Sequence, residues 1–137
     1  YYADTSKTFF VGSPGKDAKK IVSVARECLQ RGILMIKPKN RIGDIGYAIQ
    51  RYAEGQGCSV VREYVGHGVG FEFHEPPQIP HFGKKGQGIP LVPGMVFTIE
   101  PGIYIPRWGG VRIEDMVLVT SGGYEILTKI PKNLMEL

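Results

Sequence analysis

Met95-Val96-Phe97-Thr98-Ile99-Glu100 and Val111-Arg112-Ile113-Glu114-Asp115-Met116-Val117-Leu118-Val119 are the stretches that decide the fold. Both are rich in β-branched and apolar side chains, which suit a pleated, half-buried surface, so residues 95–99 and 111–119 read as strands. Pro101-Gly102-Ile103-Tyr104-Ile105-Pro106 and a turn at Gly109-Gly110 connect them. Alternation with period two puts Glu100 on the face of Val96 and Thr98, and Glu114 on the face of Arg112, Met116 and Leu118. An ionised carboxylate among such side chains is costly unless it is paired or binds a cation. Two plainer readings stand beside the cation. Arg112 and Glu114 are neighbours on one face and suit an ion pair, and Glu100, at a strand end before Pro101, suits simple exposure.

Upstream, the periodicity changes. Over residues 17–35 the apolar positions Ile21, Val24, Ala25, Cys28, Leu29 and Ile33 recur at helical spacing, with Lys19, Lys20, Glu27 and Arg31 on the wet side. Lys37-Pro38-Lys39-Asn40 stops that helix. A second spans residues 42–54 with Ile45, Ala48, Ile49, Tyr52 and Ala53 inward, closed by Gly55 and Gly57. Residues 8–11 are a short β-prone run, 59–64 are strand-like, 66–88 are full of Gly, Pro and His, and 124–127 form a last short strand. Helices first and strands later predict an α+β fold with a mostly antiparallel sheet, not a doubly wound parallel one.

At 137 residues, 42% apolar and 22% charged, the chain suits one domain, 1–137, and is not a disordered one. No apolar run approaches the ~20 residues of a membrane-spanning helix. Cys28 and Cys58 are too few for a disulfide scaffold, which points to a reducing, cytoplasmic setting. The chain opens without Met, at Tyr1-Tyr2-Ala3-Asp4, and reads as an excised or split piece of something longer. The net charge of +4 is scattered, its densest clusters being the pairs Lys19-Lys20 and Lys84-Lys85, which argues against a nucleic-acid surface.

Three apparent motifs fail on context. Gly66-His67-Gly68-Val69-Gly70 precedes a segment containing Pro76-Pro77, which does not open the helix a dinucleotide loop needs. Gly12-Ser13-Pro14-Gly15-Lys16-Asp17 lacks phosphate-loop spacing and its Ser or Thr. His74-Glu75 is followed by the same prolines and is no zinc-protease helix. His67 is more informative, because glycine on both sides lets other groups approach the imidazole closely. Asp4, before Thr5 and Ser6, suits a turn as well as a site. Together Asp4, His67, Glu100 and Glu114 form an oxygen-rich set suited to Mn, Fe, Co or Zn.

Asp4-Thr5-Ser6-Lys7, Gly66-His67-Gly68-Val69-Gly70, Phe73-His74-Glu75-Pro76-Pro77, Thr98-Ile99-Glu100-Pro101 and Arg112-Ile113-Glu114-Asp115 occur in that order. This series resembles the pita-bread metallopeptidases, which include methionine aminopeptidase, Xaa-Pro aminopeptidase and prolidase. The resemblance implies helices on a mostly antiparallel curved sheet and a site for two divalent metal ions. It implies that Asp4 and Glu114 bridge the metals, that His67 and Glu100 are ligands, and that Glu100 also handles the proton of the attacking water. It implies that His74 contacts the substrate and that Arg112 is a substrate-binding residue. The family's first metal-binding Asp falls upstream of Asp4, before Tyr1, so one metal site is expected to be incomplete in this chain.

The implied activity is removal of an N-terminal methionine from a peptide or nascent protein. Cleavage of Xaa-Pro bonds is the alternative, because residues 101–106 and 109–115 resemble the proline-specific enzymes more. A second alternative is a non-catalytic or split scaffold, with a second copy of the chain or a missing N-terminal half as partner.

Overall fold

The computed structural model describes residues 2–132, so Tyr1 of the opening motif lies outside the described residues. Helix α1 spans Lys16–Leu34 and α2 spans Ile42–Gly55. Asp17 in the first turn of α1 and Arg31 in its last complement the helix dipole. All six apolar positions expected to face inward on α1 are buried. On α2, Ile45, Ile49 and Ala53 are buried, whereas Ala48 and Tyr52 are only half-buried. No helix among the described residues is long and apolar enough to cross a membrane.

The strands are β1 (Ser59–Val60), β2 (Gly66–Gly68), β3 (Glu75–Ile79), β4 (Val96–Ile99), β5 (Gly102–Ile105), β6 (Gly109–Arg112), β7 (Asp115–Val119) and β8 (Tyr124–Ile126). They form a three-stranded sheet, β1-β5-β6, and a five-stranded sheet, β3-β2-β4-β7-β8. Every pairing is antiparallel. Helix α1 packs against β4, β5 and β6, and α2 packs against α1 and β1. Phe97, Ile99, Ile103 and Val117 are fully buried in the core beneath them. The α+β expectation holds, with two sheets in place of one.

The division into sheets corrects the reading of residues 111–119 as one strand. The run breaks at Ile113-Glu114, with β6 in the small sheet and β7 in the large one. Its neighbour breaks at the same level, where Glu100-Pro101 separates β4 from β5. Pro101 has no N–H to donate to a ladder, so pairing cannot run straight through that point. Glu100 and Glu114 therefore sit side by side on the seam between the sheets, flanked by the pairings Ile99↔Asp115 and Gly102↔Arg112.

Three smaller differences remain. Residues 8–11 form no strand, Phe10 making only an isolated bridge. The strand expected at 59–64 stops after Val60, and the Gly- and Pro-rich segment contains β2 and β3. Glycine makes β2 possible, because a Cβ at Gly66 would lie 2.4 Å from the Thr98 carbonyl oxygen and one at Gly68 would lie 2.3 Å from that of Pro76.

Helix α2 approaches the segment after β3 just as closely. A Cβ at Gly46 would lie 2.3 Å from the Phe82 carbonyl oxygen and 2.7 Å from that of Pro80. Backbone atoms cannot swing aside, so Gly46→Ala is expected to lower stability by about 1–3 kcal/mol. Chemical denaturation of the variant measures this, and a midpoint unchanged from the parent contradicts the contact.

Candidate metal centre

Strand β2 delivers His67 between its two glycines. The His67 N–H donates to Thr98 Oγ1 at 3.0 Å, and Nδ1 lies 2.9 Å from the Gly68 carbonyl oxygen. A carbonyl only accepts, so Nδ1 carries the proton and Nε2 presents its lone pair. Nε2 faces two carboxylates, with Glu100 Oε1 at 3.6 Å and Asp4 Oδ2 at 3.8 Å.

Glu100 is buried, which rules out the exposed reading of its position. Thr98 Oγ1 donates to its Oε1 at 2.8 Å, and Arg112 Nη1 donates to its Oε2. Arg112 thus pairs with the carboxylate across the seam rather than with Glu114 on its own strand run. The guanidinium also lies over the Tyr64 ring, 5.8 Å from its centroid.

Glu114 and Asp4 meet because the N-terminal segment is zipped to the seam. Ser6 N–H donates to the Glu114 carbonyl at 3.3 Å and Glu114 N–H donates to that of Ser6 at 3.2 Å. One donor atom each from Asp4, His67 and Glu114 lies within 4.8 Å of the others. Burial, then repulsion from Glu100 and Asp4, pushes the Glu114 carboxyl up from 4.5 to about 8, with Arg112 opposing. Crowded acids with an imidazole lone pair among them have the chemistry of a divalent-cation site, and the donor set fits one.

A cleft of about 530 Å³ opens over this group, lined by Asp4, His67, His74, Glu100, Arg112 and Glu114 among others. His74 stands exposed at its rim with its ring 4.0 Å from that of His67, and Phe73 packs edge-on against it at 4.6 Å. All six residues singled out from the sequence therefore line one cavity.

Two contributors escaped sequence reading. Thr98 links His67 to Glu100 through a single hydroxyl that accepts from one and donates to the other. His81 is fully buried and accepts the Glu100 N–H on Nε2 at 3.0 Å. Burial, with Arg112 adding to it, drives its pKa down to about 3, so the ring stays neutral and remains an acceptor. Thr98 was legible as a polar residue in an apolar strand; nothing in Pro80-His81-Phe82 marks a buried imidazole.

An α+β body with two antiparallel sheets and acidic residues on their seam is the pita-bread architecture. The chain matches the model of metallopeptidase family M24 over residues 1–121 and belongs to that family. It is 50% identical, over an alignment of 145 residues, to methionine aminopeptidase A of a Synechocystis species, covering 93% of this chain and 57% of that one. Among solved structures it is similar to methionine aminopeptidase from Rickettsia prowazekii, with a TM-score of 0.88 and 36% identity over 91% of this chain and 58% of that one. It is also similar to Xaa-Pro dipeptidase from Bacillus anthracis, with a TM-score of 0.83 and 39% identity over 98% of this chain and 37% of that one. The chain spans little more than half the length of the curated relatives it matches.

The raised carboxyl has a thermodynamic signature. Between about pH 4.5 and 8 the folded, metal-free chain keeps the Glu114 proton that the unfolded chain has lost. The folded state binds more protons there, so this group makes stability fall as pH rises through that window. Denaturation midpoints across the window should show the decline, and Glu114→Gln should remove that part of it. A Gln variant with the parent's slope contradicts the assignment.

Proposed function

We propose that the chain carries the hydrolytic centre of a metal-dependent aminopeptidase that removes an N-terminal methionine from peptides or nascent proteins. The convergence of Asp4, His67 and Glu114, with Glu100 3.6 Å from the His67 nitrogen, carries this reading. Two divalent cations, Mn, Co, Fe or Zn, would be its cofactor, and Asp4, His67, Glu100 and Glu114 would hold them. When bound, such cations make water a nucleophile near neutral pH and polarise a carbonyl oxygen. Family membership and 50% identity to a methionine aminopeptidase support the reading.

The protein groups have separable tasks. Glu100 takes the proton of the attacking water and delivers it to the leaving amine. Thr98 and Arg112 hold one oxygen of that carboxylate each, and His81 holds its backbone, so the group is oriented before substrate arrives. His74, at the rim, donates to the peptide and steadies the tetrahedral intermediate as negative charge develops on its oxygen. Arg112 also contacts the peptide. A cytoplasmic setting and association with a second copy or an N-terminal half belong to the same reading, and light scattering measures the association.

Proline-specific cleavage is the second reading. It is favoured by the placement of Arg112 on Glu100 and by 39% identity to an Xaa-Pro dipeptidase. Purified chain supplied with Mn(II) or Co(II) and offered Met-peptides and Xaa-Pro-peptides separates the two. Cleavage is expected on Met-peptides, at a rate that Glu100→Gln lowers by at least about 100-fold. Calorimetry should show that Glu114→Ala weakens metal binding sharply. Equal affinity for parent and variant contradicts the role of Glu114 as a ligand.

A further inference from the structure

Asp4 and Glu114 line the cleft, whereas the residues that follow them turn to a different partner. Those two followers, Thr5 and Asp115, meet a single ammonium group. Lys132 Nζ lies 3.0 Å from Asp115 Oδ1 and donates to Thr5 Oγ1 at 2.5 Å. The Thr5 hydroxyl, accepting from the lysine, donates its own proton to the Glu114 carbonyl at 2.9 Å. Thr128 Oγ1 donates to Asp115 Oδ1 at 2.8 Å and accepts the Met116 N–H at 3.0 Å. The side chains of Lys132 and Asp115 are 12% and 7% exposed, so this charge pair is shielded from solvent.

We infer that Lys132 is a positioning residue for the metal centre, setting from behind the separation of Asp4 and Glu114. The inference rests on the reading of those two residues as metal ligands. Each is tied to the lysine by its next neighbour in sequence, so one cation couples two segments far apart in the chain. A lysine that only anchored the C-terminal segment would need Asp115 alone. The second bond, to a hydroxyl that itself grips the Glu114 backbone, is what an anchor leaves unexplained. A rigid spacing matters because two ligand carboxyls must stay close together whether or not a cation is there to hold them. Partners that orient metal ligands in this way are worth 10–100-fold in metal affinity in other proteins.

The test is Mn(II) calorimetry on the parent chain, Lys132→Met, Lys132→Arg and Thr5→Val, joined to amide hydrogen exchange at Ser6 and Glu114 in the metal-free state. Lys132→Met should bind Mn(II) about 10–100-fold more weakly. Its Ser6 and Glu114 amides should exchange faster, and Lys132→Arg should recover much of the affinity. Thr5→Val keeps the charge pair and removes only the relay hydroxyl, so it tests the inference even where Lys132→Met folds poorly; a smaller loss of affinity is expected. A parent that binds Mn(II) beside Lys132→Met or Thr5→Val variants of equal affinity overturns the inference alone. A parent that binds none overturns the ligand reading and the inference with it. Faster exchange with unchanged affinity also overturns it, leaving the lysine a structural tie.

Discussion

Three acidic side chains crowd one imidazole in a partly enclosed cleft, and that repulsion is the constraint to which the surrounding structure answers. Left alone, Asp4, Glu100 and Glu114 would separate or take up protons, as the raised Glu114 carboxyl does. They stay together because Glu100 is fastened by side chain and backbone and Glu114 by its backbone. Glu100 has Thr98, Arg112 and, at its N–H, His81. Glu114 has the Ser6 bridge on its backbone. The folding energy of the apolar core beneath, built on residues such as Phe97, Ile99 and Val117, holds these groups in an arrangement they would not choose.

Much of this was legible in the sequence, and unevenly so. The helices were read nearly to the residue, because a 3.6-residue period repeated over 14 or more positions is hard to mistake. β2 and β3 were missed because strands of 3 and 5 residues, rich in Gly and Pro, have no alternation to detect. The seam was missed for the opposite reason. Residues 111–119 stay apolar through it, so hydropathy shows one strand where the hydrogen bonding shows two.

The site was legible in its members but not in its connections. Misplaced charge drew attention to Glu100 and Glu114, and flanking glycines to His67. Asp4 had no signal of its own beyond its place in an ordered set of motifs. Pairing of Arg112 with Glu114, two residues on, was one open reading, yet Arg112 reaches across to Glu100. Pairing across strands depends on register, and register depends on where the sheet divides. His81 was invisible because its role is to accept a hydrogen bond from another residue's backbone, a relation no local pattern encodes.

The break after Glu100 and the matching break before Asp115 leave β5 and β6 as a hairpin that departs from the seam and returns to it at one level. Its far end is an exposed turn around Arg107 and Trp108, with Arg107 at φ 64°. Residues added in matched pairs at that tip would lengthen the hairpin while both acidic residues kept their places at its root. The tip can thus take up added length without displacing the acidic residues at the root of the hairpin.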